Sequence, residues 1–409
     1  MCFACNTFTV FDVVNLVQAE LAAGDPIAHP VNTSLRAVLF NPWIIRGHRG
    51  RLDAPGNQGY ARKADRVSPL QTAAIVAGGL VAAAVMVMFT RIVAMRHHIV
   101  DRPTQRGLHS SEMPRGGGIA IVVVTVAGLL LLDASAGRHL LPWYAAGLAI
   151  AAVGLFDDVR GLPTALRMAV HVVAAIIAFL AYGVFDGVSI PFAGYVPFGS
   201  IAGALTVIWI VGLTNAFNFM DGADGIAGTQ AMVGGGAWAL IGYQRGDATL
   251  LHIGILVAAA SAGFLLHNWS PARIFMGDVG STFLGYTLAV IGLLHTAQRR
   301  DALIPALIVW PFLFDSVFTF LRRLRKRENV FTAHRSHLYQ RLILAGWSHA
   351  QVALLYAALA LVGSMGAAGI DRGSLATAAA IAAVTLLAAA LWLLTVLVEA
   401  NRGRTATAG

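Results

Sequence analysis

Charge is what this chain has least of. Of its 409 residues only 12% are Asp, Glu, Lys or Arg, while 57% are hydrophobic. The mean hydropathy is +0.70. Soluble globular domains carry about twice that charged fraction, so a soluble fold is excluded and a polytopic membrane protein is expected. Cysteine is almost absent. Cys2 and Cys5 spell C-x-x-C near the N-terminus, but no second Cys or His pair accompanies them to complete a zinc site. Missing too is the basic-apolar-small layout of a cleavable signal peptide. The charge that is present leans positive, to +9. In a membrane chain such an excess reflects basic loops facing anionic lipid or phosphate, and no nucleic-acid partner is expected.

A spanning helix needs roughly 20 mostly apolar residues. By that measure the fold is all-α, with about eleven transmembrane segments. They lie near 70–95, 117–132, 140–156, 167–184, 199–216, 228–243, 249–267, 279–296, 302–321, 351–369 and 374–398. Residues 1–69 read as a poorly ordered N-terminal extension, 70–398 as the membrane domain and 399–409 as a tail. The loops after odd-numbered segments (96–116, 157–166, 217–227, 268–278, 322–350) hold every unusual polar motif. The loops after even-numbered segments (133–139, 185–198, 244–248, 297–301, 370–373) are short and bland. From Arg91 onward, the odd loops, helix ends and C-terminal tail hold about 17 Lys and Arg, against about five in the even loops (Arg138, Arg245, Arg299, Arg300, Arg372). Positive residues stay cytoplasmic, so the motif face is assigned to the cytoplasm. Arg62, Lys63 and Arg66, just before the first segment, run against that rule.

Six aspartates, Asp157, Asp158, Asp221, Asp224, Asp278 and Asp315, stand at or beside these polar interruptions, besides Asp101 in the first loop. A carboxylate is expensive near a bilayer and marks a functional site there by default. Carboxylates without matching lysines also suit a hard divalent cation such as Mg2+. The first loop reads Asp101-Arg-Pro-Thr-Gln-Arg106-Gly-Leu-His109, then Pro114-Arg115-Gly116-Gly117-Gly118. Its glycines let backbone N–H groups approach an anion, and arginine offers forked donors to phosphate. The second motif is the pair Asp157-Asp158, followed by Arg167. Neighbouring helical residues point about 100° apart, so one carboxylate can face a metal and the other a reacting oxygen. The third, Asn215-Ala-Phe-Asn218-Phe-Met-Asp221-Gly-Ala-Asp224-Gly, spaces four polar groups by threes and breaks at glycines. It suits a metal, a diphosphate or a nucleobase. The fourth runs from Asn268 through Phe275 to Gly277-Asp278-Val-Gly280-Ser281. Asp278 there can cap a helix and bind metal at once. The fifth, His334-Arg335-Ser-His337-Leu-Tyr339-Gln340, follows a basic run and can grip a diphosphate or a sugar. Asp315 has two readings, a buried ion pair with Arg322 seven residues later or a member of the site. His171 and His252 read as hydrogen-bonded core residues.

Taken together, the five ordered motifs resemble the polyprenyl-phosphate N-acetylhexosamine-1-phosphate transferases, the membrane superfamily that includes phospho-MurNAc-pentapeptide translocase. The match runs from about Asp101 to Leu342, and the N-terminal segment finds no counterpart. The resemblance implies transfer of a sugar-1-phosphate from a UDP-N-acetylhexosamine to undecaprenyl phosphate, with release of UMP. It implies Mg2+, with Mn2+ as an alternative, and a multi-pass protein of the bacterial inner membrane whose active site faces the cytoplasm. Asp278 would be the main Mg2+ ligand, aided by Asp158 and Asp221. Asp157 or Asp158 would act as base toward the lipid phosphate, and His337 would join the catalytic set. Asn215, Asn218, Asp221 and Asp224 would line the nucleotide-diphosphate pocket, and Asn268 and Phe275 match positions associated with uracil. Arg115, Arg167, His334, Arg335 and Tyr339 would complete the substrate contacts. Membrane lipids are the surroundings, and a homodimer is allowed.

Two departures from the family pattern bear on specificity. The commoner last loop is D-R-x-H-x-H-H, whereas here Tyr339-Gln340 replaces the final histidine pair. This resembles the O-antigen-initiating branch that handles UDP-N-acetylfucosamine or UDP-N-acetylquinovosamine. Arg167 stands where relatives often carry lysine, so charge is kept and point geometry is not. The rival reading from another class is a cation-coupled transporter, whose intramembrane aspartates would sit near the midplane. A CDP-alcohol phosphotransferase would need a D-G-x-x-A-R spacing that Asp221-Gly-Ala-Asp-Gly does not supply.

Overall fold

The computed structural model describes residues 68–101, 112–132, 137–294, 300–329, 334–373 and 375–407, all within one compact unit, Lys63–Gly409. The expected extension up to residue 67, with Cys2 and Cys5, lies outside the described residues, as do Arg106 and His109.

Ser68 caps the first helix, α1 (Pro69–Arg96), in a reciprocal box with Gln71, and Pro69 supplies a preset first turn. A two-stranded antiparallel ribbon, β1 (Val100–Asp101) with β2 (Met113–Pro114), brings the chain back to α2 (Gly118–Leu132). Then come α3 (Gly137–Arg160) and α4 (Thr164–Tyr182). The loop expected to be bland at 185–198 forms a hairpin, β3 (Gly187–Ile190) and β4 (Gly194–Pro197). Asp301 from a later loop receives the Ser189 amide at 3.2 Å and so ties the hairpin down. Next are α5 (Ala202–Met220), α6 (Ile226–Arg245), α7 (Ala248–Asn268) and α8 (Asp278–Leu294).

Every residue of α8 is buried, and it packs on α2, α3, α5 and α6. It is the axis about which the site is built. Close packing around it relies on small residues, as helix pairs in lipid require. A Cβ on Gly235 of α6 would stand 2.7 Å from the Ala258 nitrogen of α7. The segment expected as one span at 302–321 divides at Val309 into α9 (Leu303–Ile308) and α10 (Trp310–Arg325). Pro311 in the first turn of α10 has no N–H to continue the preceding ladder. A short α11 (Leu338–Leu344) follows, then α12 (His349–Asp371) and α13 (Thr377–Thr407), which continues through most of the expected tail.

Among the described residues, seven helices are long and apolar enough to cross a membrane: α1, α3, α4, α5 with its leading turn, α7, α12 and α13. The other four expected spans correspond to α2 and α8, which are apolar but 15 and 17 residues long, to α6, and to the divided α9–α10. The architecture is that of an all-α polytopic membrane protein. Large apolar side chains such as Leu70, Phe89, Leu131, Leu180 and Leu386 are exposed on its flanks, where lipid is the solvent.

Candidate active site

The N-terminus of α8 is where the motifs converge. Helix α3 ends on Asp157 and Asp158, which point to different neighbours as their 100° offset requires. Asp158 accepts hydrogen bonds from the Asp278 amide at 2.8 Å and the Val279 amide at 3.1 Å. It thereby satisfies two of the free N–H groups that open α8 and places negative charge at the positive end of the helix dipole. Two glycines permit this docking. A Cβ on Gly154, one turn earlier, would lie 2.7 Å from the Asp278 backbone. Gly277 has φ +80°, and a Cβ there would collide with the Asp158 carboxylate. Asp157 turns the other way and receives the Leu162 amide at 2.6 Å.

Two arginines are threaded between the carboxylates. Arg115 Nε lies 2.8 Å from Asp158 Oδ1, and its Nη2 bonds Asp278 Oδ1. Arg167 Nη1, from α4, lies 2.6 Å from Asp157 Oδ2 and 2.7 Å from Asp278 Oδ2. The Arg115 loop is fixed by a short ladder to the segment before α8. Phe275 N donates to Pro114 O at 2.8 Å, and the amides of Gly117 and Gly118 donate to the carbonyls of Phe275 and Met276 at 2.9 Å.

In front of this cluster lies a cavity of about 210 Å³. Asp101 and Arg115 line it from the first loop, Asn218, Asp221, Gly222 and Asp224 from the α5–α6 connection, and Asn268, Phe275, Gly277 and Asp278 from the α7–α8 connection. Gln340 and His349 reach it from the C-terminal third. The α5–α6 connection is not helical. Helix α5 stops at Met220, and Gly225, in the left-handed region at φ +77°, starts α6. Asn215 and Asn218 thus lie within α5, while Asp221 and Asp224 lie in the connection beyond it, which breaks as its glycines predict. Asn218 donates to Ser281 Oγ of α8 at 3.1 Å. Asn215 turns away and bonds Val211 O at 2.7 Å, with His171 Nδ1 at 3.3 Å. That contact places His171 as a hydrogen-bonded core residue.

Asp221 stands apart from the other acids. Its carboxylate makes no hydrogen bond among the described residues, although it lines the cavity beside Asp278 and Arg115. Burial lifts its carboxyl well above the usual range, and Arg115 offsets this only in part. Asp224 behaves oppositely. Burial works against its charge, but the hydrogen bonds of His349, the Ala272 amide and Ser270 outweigh it and hold the carboxyl below its usual value. Asn268 spends its amide on backbone, accepting from Gly225 N and donating to Ile274 O, each at 2.9 Å. It clips the two cavity loops together.

Apart from Gln340, the His loop stands behind the cavity rather than in it. Asp315 is fully buried and accepts from the amides of Leu338 at 2.8 Å and Tyr339 at 3.1 Å, from Tyr356 Oη at 2.6 Å, and lies 3.2 Å from His337 Nδ1. Its expected partner Arg322 instead donates to Ser336 O at 2.6 Å. The Asp315 carboxylate is thus the cap that seats α11, and His337 Nδ1 is a further hydrogen-bond partner. Tyr339 is sealed under Gly222, stacks on His337 and donates to Phe219 O at 3.0 Å. His334 and Arg335 do not line the cavity. Sequence reading missed His349, which belongs to no motif, and passed over Asp101 and Gln340 as lining residues.

Among the described residues no three His, Cys, Asp or Glu side chains form a ready cage for a metal ion. Mg2+ does not need one, because it is commonly held by one or two carboxylates together with substrate phosphates and water. The Asp221 carboxylate, without a hydrogen-bond partner among the described residues, and Asp278 would supply oxygen donors of that kind.

Known proteins bear on this site. The family described as Glycosyl transferase family 4 matches residues 140–296, which hold Asp157, Asp158, the α5–α6 connection and Asp278. A Bacillus subtilis protein named "Probable undecaprenyl-phosphate N-acetylglucosaminyl 1-phosphate transferase" is 32% identical over 300 residues, covering 72% of this chain and 84% of its own. The decaprenyl-phosphate N-acetylglucosaminephosphotransferase of Mycobacterium leprae is 30% identical over 331 residues, covering 70% of this chain and 81% of its own. The undecaprenyl-phosphate alpha-N-acetylglucosaminyl 1-phosphate transferase of Yersinia pestis is 28% identical over 292 residues, covering 68% and 79%.

Proposed function

The chain belongs to glycosyl transferase family 4, and on that premise we propose that it transfers an N-acetylhexosamine-1-phosphate from a UDP-sugar to undecaprenyl phosphate. The observation that carries the reading is the convergence of Arg115, Asp221 and Asp278 on one cavity at the N-terminus of α8. The Asp221 carboxylate, with no hydrogen bond among the described residues, shares this cavity with the paired Asp278 and Arg115, an arrangement that suits a diphosphate and its counter-ion.

In the reaction a lipid phosphate oxygen attacks the phosphorus attached to the sugar. The bond from that phosphorus to the bridging oxygen breaks, and UMP leaves with the oxygen. One phosphoanhydride replaces another, so the step is near balance. Both substrates are anions, and lowering their mutual repulsion is the main task. Arg115 and Arg167 do this with fixed positive charge, moving from carboxylate to phosphate partners as substrates enter. Asp221 and Asp278 would hold Mg2+, which supplies Lewis-acid stabilisation of charge on the phosphate oxygens. Asp157, at the acceptor side, need only secure the dianion of a phosphate whose second pKa is near 6. The product, a polyprenyl diphosphate sugar, suits the first step of O-antigen or exopolysaccharide assembly.

We place the site on the cytoplasmic face of a bacterial inner membrane, where nucleotide sugars are available. The hexosamine is expected to be set around Gly222, since Tyr339 buttresses that backbone from beneath. The test uses membranes containing the protein, undecaprenyl phosphate and Mg2+, with radiolabelled UDP-GlcNAc, UDP-FucNAc, UDP-QuiNAc and UDP-GalNAc. Label should reach the lipid fraction from one or more of them, and chelation should stop it. No transfer from any of the four would overturn the reading.

A further inference from the structure

His349 lies outside every motif and beyond the matched region 140–296, yet it lines the cavity. It is the first residue of α12, and Ser348 caps that helix through Gln351, so the histidine is not needed as a cap. Its Nδ1 sits 3.2 Å from the Asp224 amide and 3.3 Å from Asp224 Oδ1. One ring nitrogen thus addresses both a donor and an acceptor of the same residue. Asp224 Oδ2 is taken by the Ala272 amide at 3.1 Å, so Asp224 is held from two sides.

The other nitrogen, Nε2, makes no hydrogen bond among the described residues. Its character follows from Nδ1. When Nδ1 accepts the Asp224 N–H, the proton sits on Nε2, which is then a donor. When Nδ1–H donates to Oδ1, Nε2 is an acceptor. Asn268, the neighbouring amide, has no such freedom, because both its polar atoms are spent on backbone. Phe275, which carries an aromatic ring, lines the same cavity. A group that needs one donor or acceptor and one flat apolar contact is a heterocyclic base with carbonyl and N–H edges.

We propose that His349 is a substrate-selectivity residue for the nucleobase, offering Nε2 to the edge of a pyrimidine-dione while its Nδ1 keeps Asp224 in place. The inference rests on the nucleotide-sugar reading above and adds to it a residue from the C-terminal third of the chain. It concerns binding and not the phosphoryl step, so its signature is a split between KM and kcat.

The experiment uses purified full-length protein in detergent and compares wild type with His349→Ala and His349→Gln. UMP and CMP binding are measured by calorimetry, and KM and kcat by lipid transfer. His349→Ala should weaken UMP by about tenfold, the effect of one lost hydrogen bond. It should also narrow the preference for UMP over CMP, raise KM for the nucleotide sugar in parallel, and leave kcat within about threefold. His349→Gln, which keeps a donor and an acceptor, should recover part of the affinity. UMP binding by His349→Ala equal to wild type overturns the inference, as does a fall in kcat at constant KM. Failure of wild type to bind UMP or transfer from any UDP-sugar defeats the nucleotide-sugar reading itself, which keeps the two failures apart.

Discussion

Asp158 and Asp278 are both acids at one helix start, yet they are spent differently. Asp158 gives both oxygens to the amides that open α8, while Asp278 turns its carboxylate outward to Arg115, Arg167 and the cavity. Their amide variants should therefore separate. Asp278→Asn is expected to fold and insert, with transfer reduced at least about a hundredfold. Asp158→Asn removes a charged cap and should also cost about 1–2 kcal/mol of stability. Equal thermal midpoints for the two variants would contradict this division. His334 offers a second residue-level test. Burial, with His337, Arg323 and Arg322 nearby, lowers its pKa to about 4. The native imidazole stays neutral while the unfolded one takes a proton near 6.5. Between pH 6.5 and about 4 the unfolded state binds more protons, so native stability is lost as pH falls through that window. His334→Gln should flatten the dependence of the thermal midpoint between pH 7.5 and 5, provided it is compared with wild type in the same detergent. Neither role is written in the sequence, where Asp157-Asp158 is only a pair and His334 only part of a loop. What decides them is which backbone amides each carboxylate meets and how much water each ring loses.

At the scale of elements, the turn at Gly277 into α8 is one that admits only glycine. A left-handed backbone at Gly277 carries the chain under Asp158 with no room for a Cβ. Gly277→Ala should cost about 1–3 kcal/mol, from the unfavourable φ and from displacing Asp158 off the helix start. Purified variant and wild type compared by thermal melt would measure it, and a loss under about 0.5 kcal/mol would mean the turn relaxes freely. Hydropathy located the elements well because lipid demands long apolar helices, and α1, α7, α12 and α13 follow that demand closely. It did less well where protein replaces lipid. Helix α8 is buried throughout and needs only 17 residues, and the α9–α10 segment breaks at Val309 because Pro311 restarts the ladder. The α5–α6 connection, expected to break at its glycines, does so between Met220 and Ile226 and forms an open loop. The hairpin β3–β4 gave no signal, since its strands are four residues each and one is pinned by Asp301, far along the chain.

On the whole molecule, the claim with most consequence is that all five motif loops share one membrane face. The structure brings four of them together at one end of α8: Arg115, Asp157 with Asp158, Asp221 with Asp224, and Asp278. The fifth is joined to that end through Tyr339 beneath Phe219 and Gly222, and Arg341 of α11 is clamped to Glu399 of α13 at 2.7 Å. An intact active site therefore requires those loops to be co-facial, which fixes the parity of the helices between them more firmly than hydropathy can. It does not fix which side is in. The asymmetry of Lys and Arg, with the seven-residue stretch Leu321–Arg327 alone carrying five of them, is what supports the proposed cytoplasmic assignment. On that proposed assignment the hairpin tip is expected on the opposite side of the membrane. A version with Cys2 and Cys5 changed to Ser leaves no native thiol. Into it, Phe192→Cys and Lys326→Cys would be introduced separately, both at exposed positions. A membrane-impermeant maleimide should label Phe192→Cys in intact spheroplasts and Lys326→Cys only after the membrane is opened. Labelling of both from outside would break the parity argument, and the reversed pattern would turn the active site away from the nucleotide sugars it is proposed to use.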